Sequence, residues 1–193
     1  MEIMAARALN RFLEKISHAE RKKMILSEEL CNLMQDLAQT IPEVGDYETQ
    51  VAISEALCRI SVKKWRDEAA QRWFVKDRIA AAFKCITDEE FETDCRKFLN
   101  EMNESLGDKR KVYSYPCITA YLDMDEVTKP ADEKLECFWI DFNLESFSIS
   151  FFINDADEAL WDAVSLEKEL VHGFNVEGID KYSYSTTVKW LHK

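Results

Sequence analysis

The chain has 193 residues, 47% hydrophobic and 11% aromatic, enough apolar matter to bury a core in one large or two small domains. Its formal net charge is −12, with 37 acidic against 25 basic residues, which argues against a chain-wide nucleic-acid groove because phosphate must be met by a basic surface. No stretch approaches the ~20 apolar residues that span a bilayer, and the start, Met1-Glu2-Ile3-Met4, runs into a charged amphipathic pattern without a signal-peptide core, so a soluble, unsecreted chain with no membrane partner is expected.

From Met1 to Leu106 the apolar period is helical. Arg7, Arg11 and Lys15 recur every four residues and therefore share one helix face, followed by Arg21, Lys22 and Lys23. Such a face is usually only solvated; its functional reading is a docking site for an acidic partner. Leu30, Leu33, Met34, Leu37 and Ile41 form the next stripe, then Ile53, Ala56, Leu57 and Ile60, then Ile79, Phe83 and Ile86, then Phe91, Cys95, Phe98, Leu99, Met102 and Leu106. Boundaries are set by Ser27, by Pro42 through Asp46, by Asp77, by a capping-box pattern at Thr87-x-x-Glu90, and by Gly107 as a stop. Three short helices within ~40 residues match the unit size of an armadillo-type solenoid, although no sequence motif repeats. In the middle of this run Lys63, Lys64, Arg66 and Arg72 lie beside Trp65 and Trp73. Trp with Arg is typical of contact sites between proteins, and tryptophans buried in a core are the plainer alternative.

After Gly107-Asp108 the period changes to two. Phe138, Ile140 and Phe142 alternate with polar or outward neighbours, as do Phe147, Ile149, Phe151 and Ile153, then Leu170, His172, Phe174 and Val176, then Tyr182 through Trp190. Turns are expected near Asn143–Ser146, Asn154–Glu158 and Glu177–Asp180, and an antiparallel sheet or small barrel follows. Residues from Asp108 onward hold 17 acids and 9 bases, net −8, leaving net −4 for residues 1–107. The fold class is therefore α+β, with a helical domain at 1–107 and a β domain at 108–193.

Catalytic chemistry finds little to work with. His18, His172 and His192 are the only histidines and suggest no Cys-His or Ser-His-Asp set. Four glycines, at 45, 107, 173 and 178, form no phosphate-cradling loop. Asp123-x-Asp125 and Asp155-x-Asp157 could share a cation, but Ala159 and Leu160 stand where a calcium loop needs an oxygen ligand and a glycine, so these read as turn acids. Asn103-Glu104-Ser105 matches a glycosylation sequon inside an expected helix and is set aside. Six cysteines without a C-x-x-C pair fit reduced, core-filling thiols of the cytosol or nucleus. No catalytic residue, cofactor or metal is assigned, and a non-enzymatic interaction module is the reading that remains.

Three stretches carry a family resemblance: Gly45-Asp46-Tyr47-Glu48-x-Gln50-Val51 to Arg59, Phe91-Glu92-Thr93-Asp94-Cys95-Arg96 to Arg110, and Asp132-Glu133-Lys134-Leu135-Glu136-x-Phe138-Trp139-Ile140-Asp141-Phe142-Asn143. In order and spacing they resemble the N-terminal region of synaptonemal complex protein 2 and its 2-like paralogue. The resemblance implies an armadillo-like helical array followed by a domain similar to the pleckstrin-homology-like middle domain of a histone chaperone. It further implies a non-enzymatic platform of the meiotic chromosome axis, the lateral element of the synaptonemal complex, in the nucleus, binding chromosomal, axis or centromeric proteins. The alternative is a histone-binding, chaperone-like chromatin module, since an acidic β domain can pair with basic histones; strong duplex DNA binding is not expected. A barrel of that type closes with a helix, whereas Lys193 follows a strand, so a domain cut short before its final helix, or a divergent member, is expected. Glycine is expected in the middle of the turn after Asn143, where this chain reads Leu144-Glu145-Ser146.

Overall fold

Amphipathic stripes become helices here, some started by a side-chain cap and some, such as those from Asp77 and Phe91, without one. The computed structural model describes the backbone of residues 2–61, 63–117, 120–122, 125–127, 129–154, 161–178 and 184–190, and the side chains of 3–17, 19–61, 65–117, 129–153 and 163–169. The chain divides into two units, Met1–Lys111 and Val112–Lys193. The first contains α1 (Glu2–Glu14), α2 (His18–Leu26), α3 (Glu28–Thr40), α4 (Tyr47–Ile60), α5 (Lys63–Trp73), α6 (Asp77–Lys84) and α7 (Phe91–Ser105).

Local chemistry explains the starts. Ser17 and Glu20 form a reciprocal capping box at α2, Ser27 accepts from Leu30 N at α3, and Asp46 Oδ1 accepts from Thr49 N at 2.9 Å at α4. The box expected at Thr87 and Glu90 does not form. Helix α7 begins at Phe91, so Thr87 lies too far upstream to cap it, and its backbone N and Oγ1 donate instead to Asp94 Oδ2. Gly107, at φ +57, ends the segment in the left-handed region that a Cβ disfavours.

The interior of this unit has an aromatic centre. Phe83 lies 5.8 Å from Trp73, 5.2 Å from Phe74 and 5.3 Å from Phe98, in edge-on or tilted geometry. A second cluster joins Leu13 of α1 to Ala56 and Ile60 of α4. Two interior amides pair with each other: Gln50 and Asn103 exchange hydrogen bonds at 3.1 and 2.9 Å, and Gln50 Nε2 also reaches the carbonyls of Ile41 and Val44. Asn103, the sequon residue, is thus an internal strut.

The second unit contains β1 (Val112–Cys117), β2 (Ala120–Leu122), β3 (Asp125–Val127), β4 (Phe138–Asn143), β5 (Ser148–Asn154), β6 (Trp161–Glu167), β7 (Val171–Gly178) and β8 (Tyr184–Trp190). Six of them make one sheet in the order β6-β5-β4-β1-β8-β7, while β2 pairs with β3. Every pairing is antiparallel except β1 with β8, which meet in parallel at Cys117 and Tyr184. Parallel neighbours need a long crossover, here the whole span from 118 to 183. Phe138, Ile140, Ile149, Phe151, Leu166 and Cys117 form the core of the sheet. The Asp155-x-Asp157 pair lies outside the described residues, as does Asp123.

The β4–β5 turn differs from expectation. Phe147 belongs to the turn, not to the buried row of β5, and is 63% exposed. The positive φ that glycine was expected to supply mid-turn falls on Phe147 instead, at +48.

Candidate interaction surface

The basic residues picked out on α1 and α5 have different fates. On α1, Arg7 pairs with Glu48 of α4 at 2.6 Å, whereas Arg11 and Lys15 are exposed along the same face. Met4, Ala8 and Phe12 are exposed beside them, so this face mixes cationic and apolar groups. Arg21 is spent internally: its guanidinium donates to the carbonyls of Leu13, Ile16 and Arg59, closing the C-terminal ends of α1 and α4.

Arg66 is not a surface residue. It is 2% exposed, and its guanidinium donates to the carbonyls of Cys58, Ser61 and Ile86 and to Asp88 Oδ1. Three carbonyl groups leaving two helix ends converge there, and a fork of N–H donors beside negative helix termini satisfies them all. An exposed contact role for Arg66 is thereby replaced by an internal one. Lys63 and Lys64 open α5, and their side chains lie outside those described.

Arg72 and the two tryptophans come together at a pocket of about 230 Å³ between α2, α3 and α5. Met24, Ile25, Leu30, Cys31 and Met34 form one wall, and Trp65, Ala69 and Trp73 the other. Trp73 is buried and half-buried Trp65 shows part of its surface at the opening. Arg72 donates to Asn32 Oδ1 at 2.6 Å and to Gln35 Oε1 at 3.2 Å, tying α5 to α3 across the mouth. On the same helices Leu26 and Leu33 are largely exposed, although Leu33 belongs to the apolar stripe of α3. The stripe of α3 is therefore wider than the core can cover, and Leu33 is left at the surface. Trp65 and Arg72 were legible as candidates for contact; Leu33 was not, because it reads as core.

A more polar cavity of about 350 Å³ lies among Arg21, Glu55, Cys58, Arg59, Asp88 and Phe91. Two of its acids are paired: Glu55 binds Arg59 at 2.7 Å and Asp88 binds Arg66 at 3.1 Å. Burial pushes the Cys58 thiol up to about 12, against the opposing pull of Arg66, so it is no nucleophile near neutrality. Among the described residues no group of three His, Cys, Asp or Glu is placed to hold a metal ion. No described helix is long and apolar enough to cross a membrane.

Residues 112–189 match the family model described as the synaptonemal complex 2 Spt16M-like domain. Across both units the chain is 49% identical over 180 residues to a Xenopus laevis synaptonemal complex protein 2-like, covering 93% of this chain and 18% of that one. Against a Mus musculus synaptonemal complex protein 2-like it is 53% identical over 166 residues, covering 86% and 20%. The chain belongs to the synaptonemal complex protein 2 family and matches its N-terminal region. Human synaptonemal complex protein 2 is 48% identical over 170 residues, 88% of this chain and 11% of its own. A solved structure titled synaptonemal complex protein superimposes with a TM-score of 0.79 at 43% identity, over 98% of this chain and 46% of that one. The chain thus spans about a fifth or less of the curated relatives' length.

Proposed function

We propose that this chain is a non-enzymatic docking platform of the meiotic chromosome axis, acting in the nucleus on chromosomal or axis proteins, centromeric ones included. Relatives named as synaptonemal complex proteins support the setting. The observation that carries the mode of action is the apolar pocket between α2, α3 and α5, with Leu26 of α2 and Leu33 of α3 exposed on the helices that form it. A preformed opening with one aromatic wall and a fixed Arg at its mouth suits one anchoring apolar side chain from a partner helix. In this reading the helices serve as an armadillo-like array and the β unit as a pleckstrin-homology-like module.

The test is a photo-crosslinking residue at position 33, expressed in meiotic cells, with the same residue at exposed Glu89 as control. Axis or centromeric proteins captured from position 33 and not from 89 are expected. Capture of the same set from both positions, or of histones alone, would overturn the reading in favour of non-specific contact or of the chromatin-module alternative.

A further inference from the structure

The β4–β5 hairpin breaks two folding rules at one residue. Phe147 is exposed, and at φ +48 it occupies a backbone region that bulky side chains avoid. Glycine or asparagine would form the same turn with less strain and without displaying a ring to water. The conformation is nonetheless held firmly. The Phe147 carbonyl accepts from Lys168 N at 2.9 Å, and beneath the turn Asn143 Nδ2 donates to Ser148 Oγ and Ser150 Oγ. Strain fixed by its surroundings at an exposed aromatic is the mark of a displayed contact group.

The surroundings indicate what it meets. Leu144 is 51% exposed on the same turn, and Glu145, Glu167 and Glu169 are exposed around the pair; among the described side chains beside them the one cation is Lys168, its ammonium 5.7 Å over the Phe147 ring. The tip is thus apolar with an acidic rim. The outer face of α1 has the opposite composition: Met4, Ala8 and Phe12 are exposed, with Arg7, Arg11 and Lys15 alongside and Glu14 the one exposed acid among the described side chains of α1. We propose that the β4–β5 tip, led by Phe147 and Leu144, docks on the basic, apolar face of α1 in a second copy of this chain. Because two different patches meet, the contact is heterologous and can repeat from copy to copy. A turn against one helix covers little area, so the association belongs to the weak class and is relieved by salt.

Sedimentation of the whole chain at about 0.5 mM and low salt is expected to show concentration-dependent association that fades at about 0.5 M salt. Phe147→Gly is expected to lose this association, by at least tenfold in Kd, while raising the unfolding midpoint by roughly 4 °C through relief of the backbone. Loss of association with loss of fold is thereby distinguished from loss of the knob. The decisive arm mixes two chains. R11E with K15E, and E167K with E169K, should each associate poorly alone and recover when mixed. A monomer at every concentration, or association that survives Phe147→Gly, overturns the proposal. So does association lost with Phe147→Gly but unmoved by the α1 reversals, since the tip would then dock elsewhere.

Discussion

Replacing Arg66 tests how the helical unit is held together. The guanidinium meets the carbonyls of Cys58 at 3.1 Å and Ser61 at 3.2 Å, the carbonyl of Ile86, and Asp88 Oδ1 at 3.1 Å. Truncation in Arg66→Ala leaves three interior carbonyls without that donor, each costing about 1–3 kcal/mol if nothing replaces it. Water can enter from the side of Asp88, which is 83% exposed, so the sum is reduced to roughly 3–5 kcal/mol. Arg66→Lys keeps the charge but concentrates its donors on one nitrogen, which cannot reach all of these acceptors; about 1–3 kcal/mol is expected. Asp88→Asn removes only a solvent-screened pair and should cost no more than about 0.5 kcal/mol. Urea unfolding followed by far-ultraviolet circular dichroism measures all three, with midpoints shifting and slopes unchanged. Stability within 1 kcal/mol or so of wild type for Arg66→Ala would refute the reasoning and return Arg66 to the surface group.

Gln50→Ala strands the carbonyls of Ile41 and Val44 and the Asn103 amide, and is expected to cost about 2–4 kcal/mol in the same assay. Exposed Cys85 is expected to react with a thiol reagent in the native protein at pH 8, whereas Cys58 and Cys95, whose thiols burial raises to about 12 and well above the ordinary range, should stay silent until unfolding. Because these folded thiols hold their protons while unfolded ones release them from about pH 9, their contribution to stability is full below that pH and declines above it; a Cys95→Ala chain should show a shallower alkaline decline. In an anisotropy titration at ~150 mM salt, duplex DNA is expected to bind more weakly than micromolar, since Arg66 and Arg21 are engaged internally; sub-micromolar binding lost with R11E would contradict this.

Much of this architecture can be read from residue order because periodicity reports which face a residue occupies. The stripe ending at Ile60 lies inside α4, the one ending at Leu106 runs through α7 to its C-cap, and Phe138 and Ile140 face the sheet core as alternation requires. Periodicity does not report where an element stops: Phe147 continues the row of β5 yet lies in the turn. Pairing between distant strands is equally silent, and nothing in the alternation sets β8 beside β1. The fate of a charge is harder still. Arg66 and Arg72 share a basic, tryptophan-flanked run, but one is buried because carbonyls from separate segments converge on it, and the other is held by two amides of α3. The composition of Trp65 with Arg72 nevertheless pointed to the pocket. The capping box at Ser17 and Glu20 is also written in the sequence, as Ser-x-x-Glu.

The most direct measurement is proximity labelling in meiotic cells with a ligase fused to the chain, comparing wild type with L26E and L33E together. These side chains are exposed, so the fold should be retained and circular dichroism checks it. Chromosome-axis or centromeric proteins are expected around the wild type, with severalfold depletion of some of them around the variant. An identical neighbourhood for a correctly folded variant would contradict docking at the pocket between α2, α3 and α5.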